Sequence, residues 1–184
     1  MQRALVDRAK QGDDEAFDAL ARTVGDRCMA IAHRILRDSD LAEDAVQAAL
    51  ITAWRELRTL RDPDRFEPWL HRILTYECYA AARRRRRWSV PLRILPGNGP
   101  REPGDILNVH DRDELERAIR RLTLEQRAVL VFHHYLGLSL TEVAARLDLP
   151  IGTVKSRLHH ATTAMRASID ADSRTPTLAE ERPA

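Results

Sequence analysis

Apolar residues recur along this chain at steps of three and four, the period of helices that bury one stripe. Phe17, Leu20, Val24, Cys28, Ile31 and Ile35 keep that spacing to about residue 36, behind Asp13 in capping position. A shorter helix over about 3 to 10 precedes them and stops at Gly12. In a third helix Leu41, Ala45, Ala49, Ala53 and Leu57 face inward, Val46, Leu50 and Trp54 widen the face, and Asp40 and Glu43 have capping-box spacing. Residues 59 to 65 form a polar turn carrying Pro63. The fourth helix is expected from Phe66 to Trp88, with Pro68 tolerated in its first turn and Trp69, Leu70, Ile73, Leu74 and Cys78 inward.

The pattern then breaks. Between residues 89 and 110, Pro91, Pro96, Pro100 and Pro103 stand among Gly97, Gly99 and Gly104, which reads as a linker. Its Val90, Leu92, Ile94 and Leu95 make it more apolar than a passive spacer. Helical spacing resumes near Asp111 with Leu115, Ile119 and Leu122. Thr123 and Gln126 open the next helix, carrying Val129, Leu130, Phe132 and Tyr135 before Gly137 ends it. From Ser139 to Met165 two helices follow: Ser139 and Glu142 open the first, Pro150 and Gly152 punctuate the turn, and Val154, Leu158, Ala161 and Met165 stripe the second. The expected fold is all-α, with two small helical domains at 1–88 and 111–169, a Pro/Gly-rich linker at 89–110 and a polar tail at 170–184.

Composition adds little until its placement is considered. Charged residues are 32%, aromatics 5%, and the formal net charge is +2. Basicity is local, however: Arg83 to Arg87 are five consecutive arginines, a cluster suited to nucleic acid. Cys28 and Cys78 are isolated and lack ligand spacing, so neither a disulfide framework nor a metal site is expected. The adjacent His133 and His134 point to different sides and make no metal pair. The N-terminus lacks an apolar signal region and no stretch reaches the roughly 18 apolar residues of a span, so a cytoplasmic protein without membrane insertion is expected.

The two helices from Ser139 carry the most specific chemistry. Lys155, Ser156, His159 and His160 lie off the buried stripe of the second helix, in its N-terminal half. Such groups reach base edges and phosphates when a helix enters the major groove. A short glycine-containing turn also joins helices in ordinary bundles, so this segment alone leaves a solvated amphipathic helix open.

Further blocks narrow the choice. Leu-Ala-Glu-Asp-Ala-Val-Gln-Ala-Ala-Leu-Ile-Thr-Ala-Trp-Arg at 41 to 55, Phe-Glu-Pro-Trp-Leu-His-Arg-Ile at 66 to 73, Leu-Thr-Leu-Glu-Gln-Arg-Ala-Val-Leu at 122 to 130 and Gly-Thr-Val-Lys-Ser-Arg-Leu at 152 to 158 resemble the extracytoplasmic-function (ECF) group of sigma-70 family factors. The resemblance covers about residues 13 to 168, in order. It implies a subunit that binds core RNA polymerase and promoter DNA, recognises the minus-35 and minus-10 elements and helps open the duplex. Neither a catalytic residue nor a cofactor is implied. An anti-sigma factor is a common partner in the family.

Site residues follow from the same resemblance. Glu43, Asp44, Gln47 and Leu50 correspond to the polymerase-docking face. Arg61, Asp62, Asp64, Arg65 and Phe66 correspond to the turn that captures a flipped minus-10 base, with Arg72 and Tyr76 beside it. Arg83, Arg84, Arg86 and Arg87 would meet promoter phosphates, two or three at a time, because consecutive helical positions are about 100 degrees apart. Lys155, Ser156, His159 and His160 correspond to the minus-35 base contacts, Thr153 and Arg157 to phosphate contacts. The chain departs from the family pattern at Ala48, Leu50, Tyr76, Ala80 and His160, so its promoter sequence does not carry over.

Two rival classes bracket this reading. A stand-alone helix-turn-helix regulator needs a dimerisation or sensing domain, and residues 13 to 88 offer neither a heptad seam nor a pocket signature. A helical nuclease using Asp13, Asp14, Glu15 and His33 is disfavoured because acids at a helix start are stabilised by the dipole alone.

Overall fold

The computed structural model describes residues 2–88 and 109–172, and all its regular elements are helical. The N-terminal unit comprises α1 (Gln2–Lys10), α2 (Asp14–Leu36), α3 (Ser39–Glu56), two short 3-10 turns (Leu57–Thr59 and Pro63–Arg65) and α4 (Phe66–Trp88). The C-terminal unit comprises α5 (Val109–Arg120), α6 (Leu124–Leu130), a π-helical turn (Val131–Tyr135), α7 (Leu140–Leu147) and α8 (Ile151–Asp172). Residues 109–110 thus begin α5 and 170–172 end α8; the rest of the expected linker and tail lies outside the described residues.

Local chemistry fixes most boundaries. Asp13 accepts from the Ala16 amide at 3.0 Å and starts α2. Thr123 with Gln126 and Ser139 with Glu142 form reciprocal capping boxes, each satisfying two otherwise unpaired amides. One cap differs from the expected pairing. Asp38, not Asp40, caps α3, its carboxylate accepting from the Leu41 amide at 3.0 Å. The helix therefore gains two residues, Ser39 and Asp40, at its start, just after Arg37 leaves α2 in the left-handed region.

Within the N-terminal unit α3 packs on α2 and α4 while α1 covers α2. Leu20, Ile31, Ile35, Leu57, Phe66, Leu70 and Leu74 are fully buried, each contributing about 1.5–3 kcal/mol of burial. Both cysteines lie in this core, and burial pushes each thiol up to about 12. Trp54 departs from its inward assignment: it is 53% exposed, and its indole nitrogen donates to Asp14 at 3.4 Å. Ala53 takes the buried position, and the next residue is turned about 100 degrees away.

The C-terminal unit wraps α5, α6 and α7 around α8. Tyr135, expected among the residues that its helix carries with Val129 and Phe132, is 43% exposed. The π turn is the reason, since its wider winding shifts every later residue out of the α-helical stripe. Gly137 follows at φ +68, a conformation open to glycine at little cost. The two units pack against each other through α4 and α7, α2 and α6, and α2 and the π turn. Phe132, Val143 and Val154 belong to one apolar core cluster with Leu70 and Leu74.

Candidate nucleic-acid interface

The helix-turn-helix is built by α7, a three-residue turn and α8. Asp148 occupies the left-handed region at φ 55, ψ 49, and its amide donates to the Ala144 carbonyl. Aspartate tolerates that region better than most residues, so the turn needs no glycine there. Pro150 offers its carbonyl to the Thr153 and Val154 amides at 2.9 and 3.2 Å, which starts α8 at Ile151. Gly152, expected in the turn, is therefore helical. Val154 and Ala161 are completely buried, while Lys155, Ser156, His159 and His160 are exposed on the other side. Thr153 and Arg157 are half-buried. Arg157 faces α4, where its charge opposes the effect of burial on Tyr79; burial dominates and holds that phenol up at about 12.

A second surface lies at the start of α4. Asp62 caps the 3-10 turn by accepting from the Asp64 amide at 3.1 Å, and Asp64 pairs with Arg3 at 2.5 Å. Arg61, Asp62 and Arg65 are exposed around a shallow cleft of about 350 Å³, backed by Trp69 and Arg72, while the exposed Asp64 does not line it. Phe66 is not part of that surface. It is 2% exposed and seated in the core, its ring 6.2 Å from that of Trp69, so it supports the turn from beneath. Tyr76 is 63% exposed, with the Arg83 guanidinium 5.9 Å from its ring centre. Arg83, Arg84, Arg86 and Arg87 point to solvent, whereas Arg85 pairs with Asp38 at the start of α3.

On α3, Glu43, Asp44 and Gln47 are exposed, but Leu50 is half-buried and packs on the core. The exposed apolar residues of that helix are Ile51 and Trp54. Sequence reasoning missed Ile51; it stands four residues after Gln47, the spacing that keeps a helical face.

Contacts between the two units complete the geometry. Arg72 binds Asp148 at 2.6 Å, Arg37 binds Glu116 at 3.0 Å, and the Arg34 guanidinium stacks 3.7 Å over the Tyr135 ring. His71 is 2% exposed, edge-on to Phe132 at 5.7 Å, and its Nδ1 lies 3.3 Å from an Arg146 nitrogen. Arginine only donates, so Nδ1 accepts and the imidazole is neutral. Burial first, then the Arg146 and Arg27 charges, push its pKa down to about 4.

Comparison with known proteins gives three kinds of likeness. Residues 20–88 match the model of Sigma-70 region 2 and residues 112–165 that of Sigma-70, region 4. The chain is 34% identical over 165 residues to the ECF RNA polymerase sigma factor SigE of Mycolicibacterium smegmatis, covering 84% of this chain and 63% of that protein. It is 31% identical over 173 residues to the RNA polymerase sigma-H factor of Pseudomonas aeruginosa, covering 88% and 90%. Among solved structures, the sigma factor RpoE in complex with the anti-sigma factor NepR from Bartonella quintana superposes with a TM-score of 0.69 at 27% identity, over 85% of this chain and 98% of that one. The chain thus spans somewhat under two thirds of the SigE relative and most of the other two. No described helix is long and apolar enough to cross a membrane.

Proposed function

The chain belongs to the sigma-70 family, in its ECF group of promoter-directing RNA polymerase subunits, and on that premise we propose which of its surfaces does which part of that work. The exposed face of α3, with Glu43, Asp44, Gln47 and Ile51, docks on core polymerase. Residues 1–88 engage polymerase and the minus-10 element, and residues 111–169 engage the minus-35 element. The cleft bounded by Arg61, Asp62, Arg65 and Arg72 receives an unstacked base of the minus-10 strand. Unstacking costs a few kcal/mol, and cationic and aromatic walls offset it. Tyr76 offers a further stacking surface, and Arg83, Arg84, Arg86 and Arg87 lie along phosphates, each neutralised phosphate steepening the salt dependence by nearly one unit.

In the minus-35 element Lys155 and Ser156 read base edges from the start of α8, with His159 and His160 one turn on, while Thr153 and Arg157 serve phosphates. All chemistry belongs to the polymerase, and the chain performs none itself. By likeness to the Bartonella complex, an anti-sigma protein is a second partner, and the polymerase is the compartment-defining one, placing the chain in the cytoplasm.

The observation that carries this reading is the pairing in one chain of an exposed DNA-facing helix start on α8 with a cationic cleft on α4. Run-off transcription with purified core polymerase on genomic promoter fragments tests it. Discrete start sites that require both the chain and core are expected. Binding of the chain to duplex promoters without polymerase, and no specific transcripts with it, would instead mark a stand-alone regulator.

A further inference from the structure

The arginine run at the end of α4 is not uniform. Successive helical residues turn by about 100 degrees, so five in a row spread around the whole axis. Leu70, Leu74, Cys78 and Ala81 form the buried stripe of α4, and one further step of four brings Arg85 onto that same line, just past the core. Arg72, Tyr76, Arg83 and Arg87 share the opposite line, and all four are exposed. Arg84 and Arg86 fall on the two flanks between these lines.

Arg85 lies where α4 returns to the start of α3, and there Asp38 meets it. One carboxylate oxygen of Asp38 accepts from the Leu41 amide and the other from the Arg85 guanidinium. A single side chain thus starts the docking helix and holds the end of α4. Its side chain is 24% exposed and that of Arg85 49%.

We propose that Arg85 is a positioning residue for promoter binding. Gripped by Asp38, it makes no promoter contact of its own, and it fixes the end of α4 so that Arg83 and Arg87 continue the line of Arg72 and Tyr76 along one strand. This rests on the assignment of that face of α4 to promoter DNA, and it narrows the phosphate contacts of the run to Arg83 and Arg87.

The physics of the run supports it. Adjacent cations repel one another, and Arg83 and Arg87, four residues apart, face each other directly on the helix surface. Pairing Arg85 with a carboxylate offsets part of that repulsion in the last turn, where helices fray most readily. Fifteen residues separate Arg72 from Arg87, about 22 Å at about 1.5 Å each, and unwinding the last turn would take Arg87 off the line. Because Asp38 also caps α3, the same carboxylate ties that line to the helix bearing Glu43, Asp44 and Gln47.

Asp38→Asn keeps an acceptor for the Leu41 amide and Arg85→Gln keeps a long polar side chain, so both variants fold. Their complexes with core polymerase, and that of the double variant, are titrated with a fluorescein-labelled, mixed-sequence single-stranded 12-mer and read by anisotropy, with core alone as the blank. Each variant is expected to bind about threefold more weakly than the unchanged chain, the double variant no more weakly than either, and Arg85→Lys nearly as well as the unchanged chain. A purely electrostatic role has opposite signs: with Arg85 on a phosphate and Asp38 as a repellent, Asp38→Asn tightens binding while Arg85→Gln weakens it, and the positioning role is overturned. Additive losses, or no loss in either single variant, overturn it as well. Hydrogen exchange in the free chain gives a readout without DNA. The amides of residues 85–88 are expected to exchange about threefold faster in both variants, and unchanged rates overturn the grip of Asp38 on the helix end.

Further variants separate this from the assignment beneath it. Arg83→Gln and Arg87→Gln should each lower the slope of log affinity against log salt by about 0.7, the share of one phosphate on a single strand. Arg84→Gln and Arg86→Gln should lower it little, and equal losses there overturn the alignment. If none of the four changes affinity or slope, the DNA assignment of α4 fails, whatever Asp38 and Arg85 do.

Discussion

Two side chains make the strongest single-residue predictions. Lys155 stands exposed on α8 beside the completely buried Val154, so truncating it leaves the helix anchored. Lys155→Ala is expected to cost about 1–3 kcal/mol at the preferred minus-35 base and little elsewhere; a uniform loss across sequences, seen in competition binding, reassigns it to a phosphate. His71 sets a pH dependence. Its pKa of about 4 lies below the ~6.5 of a free imidazole, so a proton binds the unfolded chain better than the folded one. The stability this group contributes is therefore fully present above about pH 6.5 and is lost as pH falls towards 4, by about 3 kcal/mol in all. The urea unfolding midpoint should fall over that window and respond less in His71→Leu. Nothing in the sequence marked His71, because a histidine at a half-apolar helix position carries no sign of what will cover it. Phe66 lies in the core and not on the cleft for a related reason: which side of a turn a residue faces is set by packing from distant parts of the chain, which local spacing does not show.

At the level of elements, the sequence was legible wherever a rule acts within one helical turn. The capping boxes at Thr123 and Ser139 stand as expected, and in the stripe of α8 Val154 and Ala161 are buried while Leu158 and Met165 are half-buried. Where two local rules competed, tertiary contacts decided. Asp40 had the capping spacing, but Asp38 caps α3 and also pairs with Arg85, binding the docking helix to the basic end of α4. Asp38→Ala should lower the unfolding free energy by about 1 kcal/mol, mostly through the cap. Asp38→Asn retains an acceptor and should lose only a few tenths, since Arg85 is half exposed. Comparable losses for both in urea titrations would show that the ion pair, not the cap, is the larger contribution. The π turn after α6 lay beyond local rules, and with it the outward turn of Tyr135 onto Arg34.

For the whole molecule, the two-unit layout was readable from the break in periodicity after Trp88, but the docking of the units was not. The surfaces that meet combine apolar residues of α4 and α7 with a few polar pairs, and an apolar stripe does not show whether its partner lies in its own unit or in the other. Their contact has a consequence for how the molecule melts. Because the buried cluster runs without interruption from Leu70 and Leu74 to Phe132 and Val143, neither unit completes its interior without the other. Calorimetry of the free chain should therefore show a single endotherm, with van't Hoff and measured enthalpies in agreement. Substitutions that part the units should split it into two, the smaller C-terminal unit melting first. Any protein that pries them apart must then supply, from its own binding surface, the cooperativity that the chain gives up.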